Sequence, residues 1–197
     1  MMNDAVVTYI DLTSIIKKYQ NAAVLKAVKK VFHHNVSKEL NIYCYNLKSA
    51  IVRVRPLHHE YNEDDIRLLI LHELLALEHI QGLLFSFGDM LHSSTAYGEF
   101  RIANNSMSGA AIESSVKLIA KQKFNSRILL SSEIVNLIKS DAQDFEIKKI
   151  AKHIKGMLIR SESGLYCLDQ FKIFESKIGI EFSDNTKEED SAVQEAV

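Results

Sequence analysis

The chain opens on a β-branched run, Val6-Val7-Thr8-Tyr9-Ile10, which predicts a buried strand over residues 5–10 that ends at Asp11. Thr13 and Ser14 begin a helical region that reaches residue 40. Within residues 22–40, Val24, Leu25, Val28, Val31, Phe32 and Val36 recur at three- and four-residue steps. That spacing predicts one apolar helix face, with Lys26, Lys29 and Lys30 on the wet side. The period then changes. Ile42-Tyr43-Cys44-Tyr45 and Ala50-Ile51-Val52-Arg53-Val54 predict two strands, and Asn46-Leu47-Lys48-Ser49 between them is short enough for a hairpin turn. Asn62 caps a long apolar helix over residues 62–86, and Asp64 and Asp65 suit its positive N-terminal end.

Residues 91–100 predict a further strand with a local irregularity at Gly98-Glu99, followed by a polar turn over residues 104–108. Residues 109–123 predict a helix with Ala111, Ile112, Ser115, Val116 and Ile119 inward. A short strand over 127–130 leads to a helix that starts at Ser131-Ser132-Glu133. Residues 145–159 read mostly as strand, 161–164 as a turn and 165–173 as the closing strand. Residues 183–197 hold Asp184, Lys187, Glu188, Glu189, Asp190 and Glu195 with almost nothing to bury, which predicts a disordered acidic tail after a single domain over residues 1–182. The order β-α-β-β-α-β, then more α and β, predicts an α+β fold. Its frame is a ferredoxin-like (split βαβ) antiparallel sheet with helices on one face, extended by C-terminal α/β elements.

Composition narrows the class. Of 197 residues, 47% are hydrophobic and 25% charged, the balance of one ordinary globular domain. Twenty-four Lys and Arg against 25 Asp and Glu leave a net charge of −1, so no nucleic-acid partner is expected. Cys44 and Cys167 both sit in apolar runs and read as reduced thiols of a cytoplasmic protein. Residues 1–5 lack the basic start of a signal peptide. Residues 66–87, the most apolar stretch, contain Arg67, His72, Glu73, Glu78 and His79, so no membrane association is expected.

Candidate chemistry is sparse. His72 and His79 share a helix face but fit neither the His-Glu-x-x-His pattern nor its inverse. The pairs His33-His34 and His58-His59 point their side chains apart on either a helix or a strand, which disfavours shared chelation. No phosphate-cradling glycine motif and no nucleophile elbow occurs. Asp11 carries two readings. It leaves the sheet where following backbone N–H groups could meet a phosphate, or it caps the helix that begins at Thr13.

The order of elements, together with several strings, resembles the class III nucleotide cyclase homology domain over residues 5–175. Tyr9-Ile10-Asp11-Leu12-Thr13-Ser14-Ile15 looks like that family's first strand with its metal-binding Asp. Residues 90–100, which include Gly98-Glu99, look like its Gly-Glu strand, and residues 108–118 are similar to its Gly-x-x-x-Asn-x-x-x-Arg-Leu helix. Arg127-Ile128-Leu129-Leu130-Ser131 and Gly164-Leu165-Tyr166-Cys167-Leu168-Asp169 also fit. The resemblance implies two carboxylates that hold two metal ions, which activate the ribose hydroxyl and neutralise the triphosphate. Asp11 would be the first. In the turn that should bear the second stands Lys48, whose ammonium repels a cation. The helix positions implied to hold Asn and Arg carry Glu113 and Lys117. A glutamate 4 Å from a phosphate charge is repelled by about 4 kcal/mol at an effective dielectric near 20, and a lysine lacks the bidentate fork of arginine.

The expectation is a cyclase-like domain with a largely lost catalytic set and a vestigial Asp11. It would act as a binding or regulatory module in signalling, as a homodimer or paired with a related cyclase domain, with a nucleotide as candidate ligand and no cofactor. The alternative is a divergent but active cyclase, a phosphorus–oxygen lyase that uses Mg²⁺ or Mn²⁺. A third reading is a structural scaffold, since fold alone does not imply function. The strand residues Tyr43, Tyr45, Ile51, Thr95, Tyr97 and Phe100 cannot all face one helix layer, so some aromatics should lie on an open sheet face that pairs with a second domain.

Overall fold

A computed structural model describes residues 3–34, 36, 41–103, 106–121, 127–161 and 163–178. Strand β1 (Asn3–Asp11) leads to helices α1 (Thr13–Lys18) and α2 (Ala22–Val31), the hairpin β2 (Tyr43–Asn46) and β3 (Ala50–Pro56), helix α3 (Glu63–Phe85) and strand β4 (Ser93–Ala103). Then follow β5 (Ser106–Ser108), α4 (Ala110–Lys121), β6 (Ile128–Leu130), α5 (Ser132–Lys139), α6 (Phe145–Met157), β7 (Leu158–Arg160), β8 (Tyr166–Leu168) and α7 (Gln170–Ile178). They build one sheet in the order β2-β3-β1-β4-β6-β8-β7, with β5 attached to β4. The first four strands are antiparallel in the split βαβ order, as expected. Only β4 and β6 run parallel.

Alternation along the strands sorts side chains onto two faces. Val6, Ile10 and Ile51 pack with Ile70, Leu71, Leu74 and Leu77 of α3 in the larger core. On the opposite face Ala5, Val7, Val52, Val54 and Phe100 meet Ala111 and Ile112 of α4. The helix layer is therefore not confined to one side: α4 crosses over and covers part of the second face. Glycine permits this approach, since a Cβ on Gly109 would stand 2.4 Å from the Glu99 carbonyl oxygen. The Ser115 hydroxyl then donates to the Val7 carbonyl at 3.1 Å, and Ser94 Oγ donates to the Ser115 carbonyl at 2.7 Å. Val116, expected to point inward, is exposed.

α3 has its expected cap. Asn62 accepts from the Asp65 N–H, and Asp65 accepts in return from the Asn62 N–H, both at 3.0 Å. By length and apolarity α3 would pass as a membrane span. It is instead the central helix of the domain, and its buried polar residues are paired. Glu73 lies between Arg53 and Arg55, Arg67 reaches Asp64, Glu63, Ser140 and the Leu137 carbonyl, and Glu78 meets His153.

Three further expectations differ from the structure. The helix predicted to reach residue 40 ends at Val31, because Nη1 of the buried Arg53 takes the carbonyls of Phe32 and His34 and holds the chain in a turn; residues 35 and 37–40 of that prediction lie outside the described residues. Residues 145–157 are helix rather than strand. Asp144 caps α6 through the Ile147 N–H, and Ile147, Ala151, Ile154 and Met157 form its buried stripe, which leaves only Leu158–Arg160 as strand. The stretch read as a closing strand splits into β8, which lies inside the sheet, and α7, whose first N–H groups are met by Asp169. The acidic tail over residues 183–197 and the last residues of the predicted domain lie outside the described residues, as do positions 104–105 of the polar turn.

Candidate functional site

The end of β1 is where the family resemblance places chemistry. Asp11 is half-buried there, paired in register with Ala50, the first residue of β3. Its Oδ1 accepts from the Thr13 N–H at 2.8 Å and from Thr13 Oγ1 at 2.6 Å, while Oδ2 lies 3.7 Å from His92 Nδ1. The carboxylate thus caps α1 from one position before the usual one, since Leu12, the capping residue by backbone geometry, has no side-chain acceptor. The Asp11 and Leu12 N–H groups are already spent on the carbonyls of His92 and Ser49.

Two neighbours respond to this carboxylate. Burial pushes the Tyr9 hydroxyl up, and the Asp11 charge adds to that shift. Burial holds the His92 imidazole below its ordinary value, and Asp11 opposes that only in part. His92 Nε2 is buried and has no hydrogen-bond partner among the described residues. Sequence pattern does not single out His92. Its signal was its place immediately before β4, the strand that pairs with β1.

The hairpin turn adjoins Asp11 as expected, closed by the Leu47 N–H on the Ala50 carbonyl at 2.8 Å. Its residues, Asn46, Leu47, Lys48 and Ser49, are all exposed. Lys48 forms no ion pair with Asp11. Among the described residues, no three of His, Cys, Asp or Glu come together as a metal-ligand set.

Glu113 and Lys117 lie one turn apart on the exposed side of α4, and they pair with each other, Nζ to Oε2 at 3.7 Å. Neither is brought to Asp11. Of the histidine pairs, His58 packs edge-on against Tyr61 and His59 is solvent-exposed beside Glu60. His34 stacks on His79, with ring centroids 4.1 Å apart.

The second sheet face carries the open aromatic surface. Tyr43 and Tyr45 oppose Val54 and Val52 across the hairpin. They line a cavity of about 370 Å³ with Phe100 and the exposed Ile102, bordered by Asp4, Asn41, His58 and Arg101. Ile51, Thr95 and Tyr97 turn to the α3 face instead, where Thr95 Oγ1 meets Thr8 Oγ1 at 3.1 Å. The six strand residues therefore divide between the faces, three on each.

No family model matches the chain, and no curated protein is similar to it in sequence. Solved structures are similar in fold. The adenylyl cyclase CyaB from P. aeruginosa superposes with a TM-score of 0.50 at 12% identity, covering 85% of this chain and 94% of its own. The monomeric guanylyl cyclase domain of the RhoGC fusion protein from the aquatic fungus Blastocladiella emersonii reaches a TM-score of 0.54 at 11% identity, covering 85% and 96%. The guanylate cyclase domain of RhGC from Catenaria anguillulae, in complex with GTP, reaches 0.51 at 13% identity, covering 85% and 97%. The chain thus has the fold of class III cyclase domains over most of its described length.

Proposed function

We propose that this chain is a nucleotide-cyclase-like domain that has lost cyclase chemistry and works as a binding or regulatory module by pairing with a second domain of the same fold. The observation that carries this reading is the surroundings of Asp11. A two-metal site needs carboxylates that converge on both ions. Among the described residues one carboxylate stands alone here, with one oxygen bonded twice to Thr13, and the adjoining turn offers the Lys48 ammonium instead of a second acid. These donors do not suit two divalent cations. On α4, Glu113 and Lys117 neutralise each other where a triphosphate would call for cationic and amide donors.

The pairing half of the reading rests on the aromatic face around Tyr43, Tyr45, Phe100 and Ile102, which the domain's own helices cover only in part. Among the solved structures of similar fold are both a monomeric and a dimeric guanylyl cyclase domain of RhoGC. The partner is a second copy or a related cyclase domain.

Retention of Asp11 at the end of β1 is the one feature that favours a divergent active cyclase. One assay separates the two. The purified chain is incubated with each of the four ribonucleoside triphosphates and Mn²⁺, alone and mixed with an active cyclase domain. The expected result is no cyclic product from the chain alone, and product that is lost on Asp11→Ala substitution would establish the alternative.

A further inference from the structure

On the α3 face, away from the aromatic surface, lies a cavity of about 390 Å³ between the end of α2, the start of β2, β3 and α3. Ile42, Leu75 and Ala76 form its apolar wall. The rest of the lining is basic: His34, Arg55, His72 and His79. Among the described residues, no carboxylate lines it.

Arg55 is the centre of this arrangement. Its side chain is only 6% exposed, and its Nε donates to Glu73 Oε2 at 2.6 Å. Glu73 is shared, however. Arg53 Nε takes Oε1 at 2.8 Å and Arg53 Nη2 reaches Oε2 at 3.2 Å. Among the described residues, one carboxylate thus faces two guanidinium groups, and a positive charge is left over. Arg53 uses its Nη1 on the Phe32 and His34 carbonyls. The Nη groups of Arg55 have no hydrogen-bond partner among the described residues, although the residue is buried and lines the cavity. The fork therefore faces the cavity with donors free to take an acceptor from solution.

We infer that this cavity binds a small phosphorylated molecule, with the phosphoryl oxygens on Arg55 and the neighbouring histidines and its organic part against Ile42, Leu75 and Ala76. Charge excludes a cation beside Arg55, and the stacked rings of His34 and His79 do not converge on one point. The guanidinium fork matches two oxygens of an oxyanion. The imidazoles of His34, His72 and His79 line the same cavity and add N–H donors for the further oxygens of a phosphoryl group. The volume lies within the range of small-molecule sites, about 300–1,000 Å³.

Titration supports the same ligand class. Burial holds His34 below its ordinary value, helped by His79 and Arg53, and burial with Arg55 does the same for His72. Among the described residues, the charged or titratable groups around them are Arg53 and Arg55 on β3, Glu73 on α3, Cys44 on β2 and His33 beside it. An oxyanion favours the protonated imidazoles, so binding tightens as the pH falls.

The test uses the full chain with sulfate, phenyl phosphate and acetate, read by calorimetry and by the ¹⁵N imidazole resonances. Sulfate keeps its charge over the histidine range, so its pH dependence reports the protein. Sulfate should move the His34, His72 and His79 signals and leave His59 and His153 in place. Phenyl phosphate should bind about tenfold more tightly than acetate, and sulfate affinity should fall about tenfold from near pH 5.5 to near pH 8. Arg55→Lys keeps the charge facing Glu73 but removes the fork, and should weaken phenyl phosphate binding about tenfold. His72→Gln/His79→Gln alters two exposed side chains, so it leaves the fold intact and should weaken binding to a similar degree. Uniform shifts of all histidines, no heat with phenyl phosphate, or undiminished binding by the double variant would overturn the assignment. None of these outcomes bears on the pairing proposed for the opposite sheet face.

Discussion

Arg53 and Glu73 form a two-pronged ion pair at the centre of the domain, with Nε to Oε1 at 2.8 Å, Nη2 to Oε2 at 3.2 Å and almost no exposure of either side chain. The pair joins the sheet to α3 and also sets the end of α2 through the Phe32 and His34 carbonyls. Burial alone would raise the Glu73 carboxyl; Arg53 and Arg55 outweigh it and bring the carboxyl down from 4.5 to about 2. A folded-state value below the unfolded one contributes stability that is complete above the unfolded value and is lost as pH falls towards the folded one. Unfolding by urea should therefore show a loss on the order of 3 kcal/mol between about pH 5 and pH 2. Glu73→Gln should cost about 3–5 kcal/mol near neutrality, because Arg53 and Arg55 stay buried without their counter-charge. The same variant should lose most of the wild-type acid sensitivity in that window.

Asp11 should behave as a cap. Asp11→Ala removes the acceptor of the Thr13 N–H and hydroxyl and should lower stability by about 1 kcal/mol, whereas Asp11→Asn keeps an oxygen there and should lower it by less. Thermal melts of the three proteins, with and without Mg²⁺, check this. Wild-type melting should not rise with the ion. A rise of several degrees that vanishes in the Asn variant would show that Asp11 holds a metal.

Gly109 has a role that only geometry reveals. Its φ of +116° lies where side chains are strained, and an added Cβ would stand 2.4 Å from the Glu99 carbonyl oxygen and 2.9 Å from its carbon. Backbone would have to move, and with it the start of α4. Gly109→Ala should destabilise the domain by about 2 kcal/mol or more. Gly156, where a Cβ meets nothing, is the control, and its Ala variant should match or exceed the wild type. Paired urea midpoints test the contrast.

The frame of the sheet was legible because its strands are continuous β-branched runs and α3 carries an explicit cap at Asn62. α6 was misread although Ile147, Ala151, Ile154 and Met157 keep helical spacing behind Asp144; the surrounding lysines diluted the pattern. The end of α2 was not legible at all, since the group that stops it, Arg53, is far away in sequence. At the candidate site, Asp11 and the turn with Lys48 are both named by the sequence and adjoin in the fold, while His92 is not singled out. The histidines fared worst. His72 and His79 share a helix face in the sequence without a ligand motif, and only the packing of the chain after α2 on α3 brings His34 and Arg55 to them.

The last prediction concerns self-association. The second sheet face presents Tyr43, Tyr45 and Ile102 at the edge of the buried Phe100, beyond the part that α4 shields over Ala5, Val7, Val52 and Val54. Aromatic residues are enriched in interface cores, and a stable pair buries about 1,600 Å² or more. Light scattering at micromolar concentration should therefore give a mass near twice 22.4 kDa. Ile102 is 42% exposed in the single chain, so Ile102→Glu leaves the fold unburdened yet forces a carboxylate into the interface. It should shift the dimer towards monomer by about tenfold or more in dissociation constant, with an unchanged melting curve for the dilute protein. A wild-type chain that stays monomeric at high concentration would leave pairing with a related cyclase domain as the remaining form of the proposal. A dimer indifferent to Ile102→Glu would place the contact on another surface.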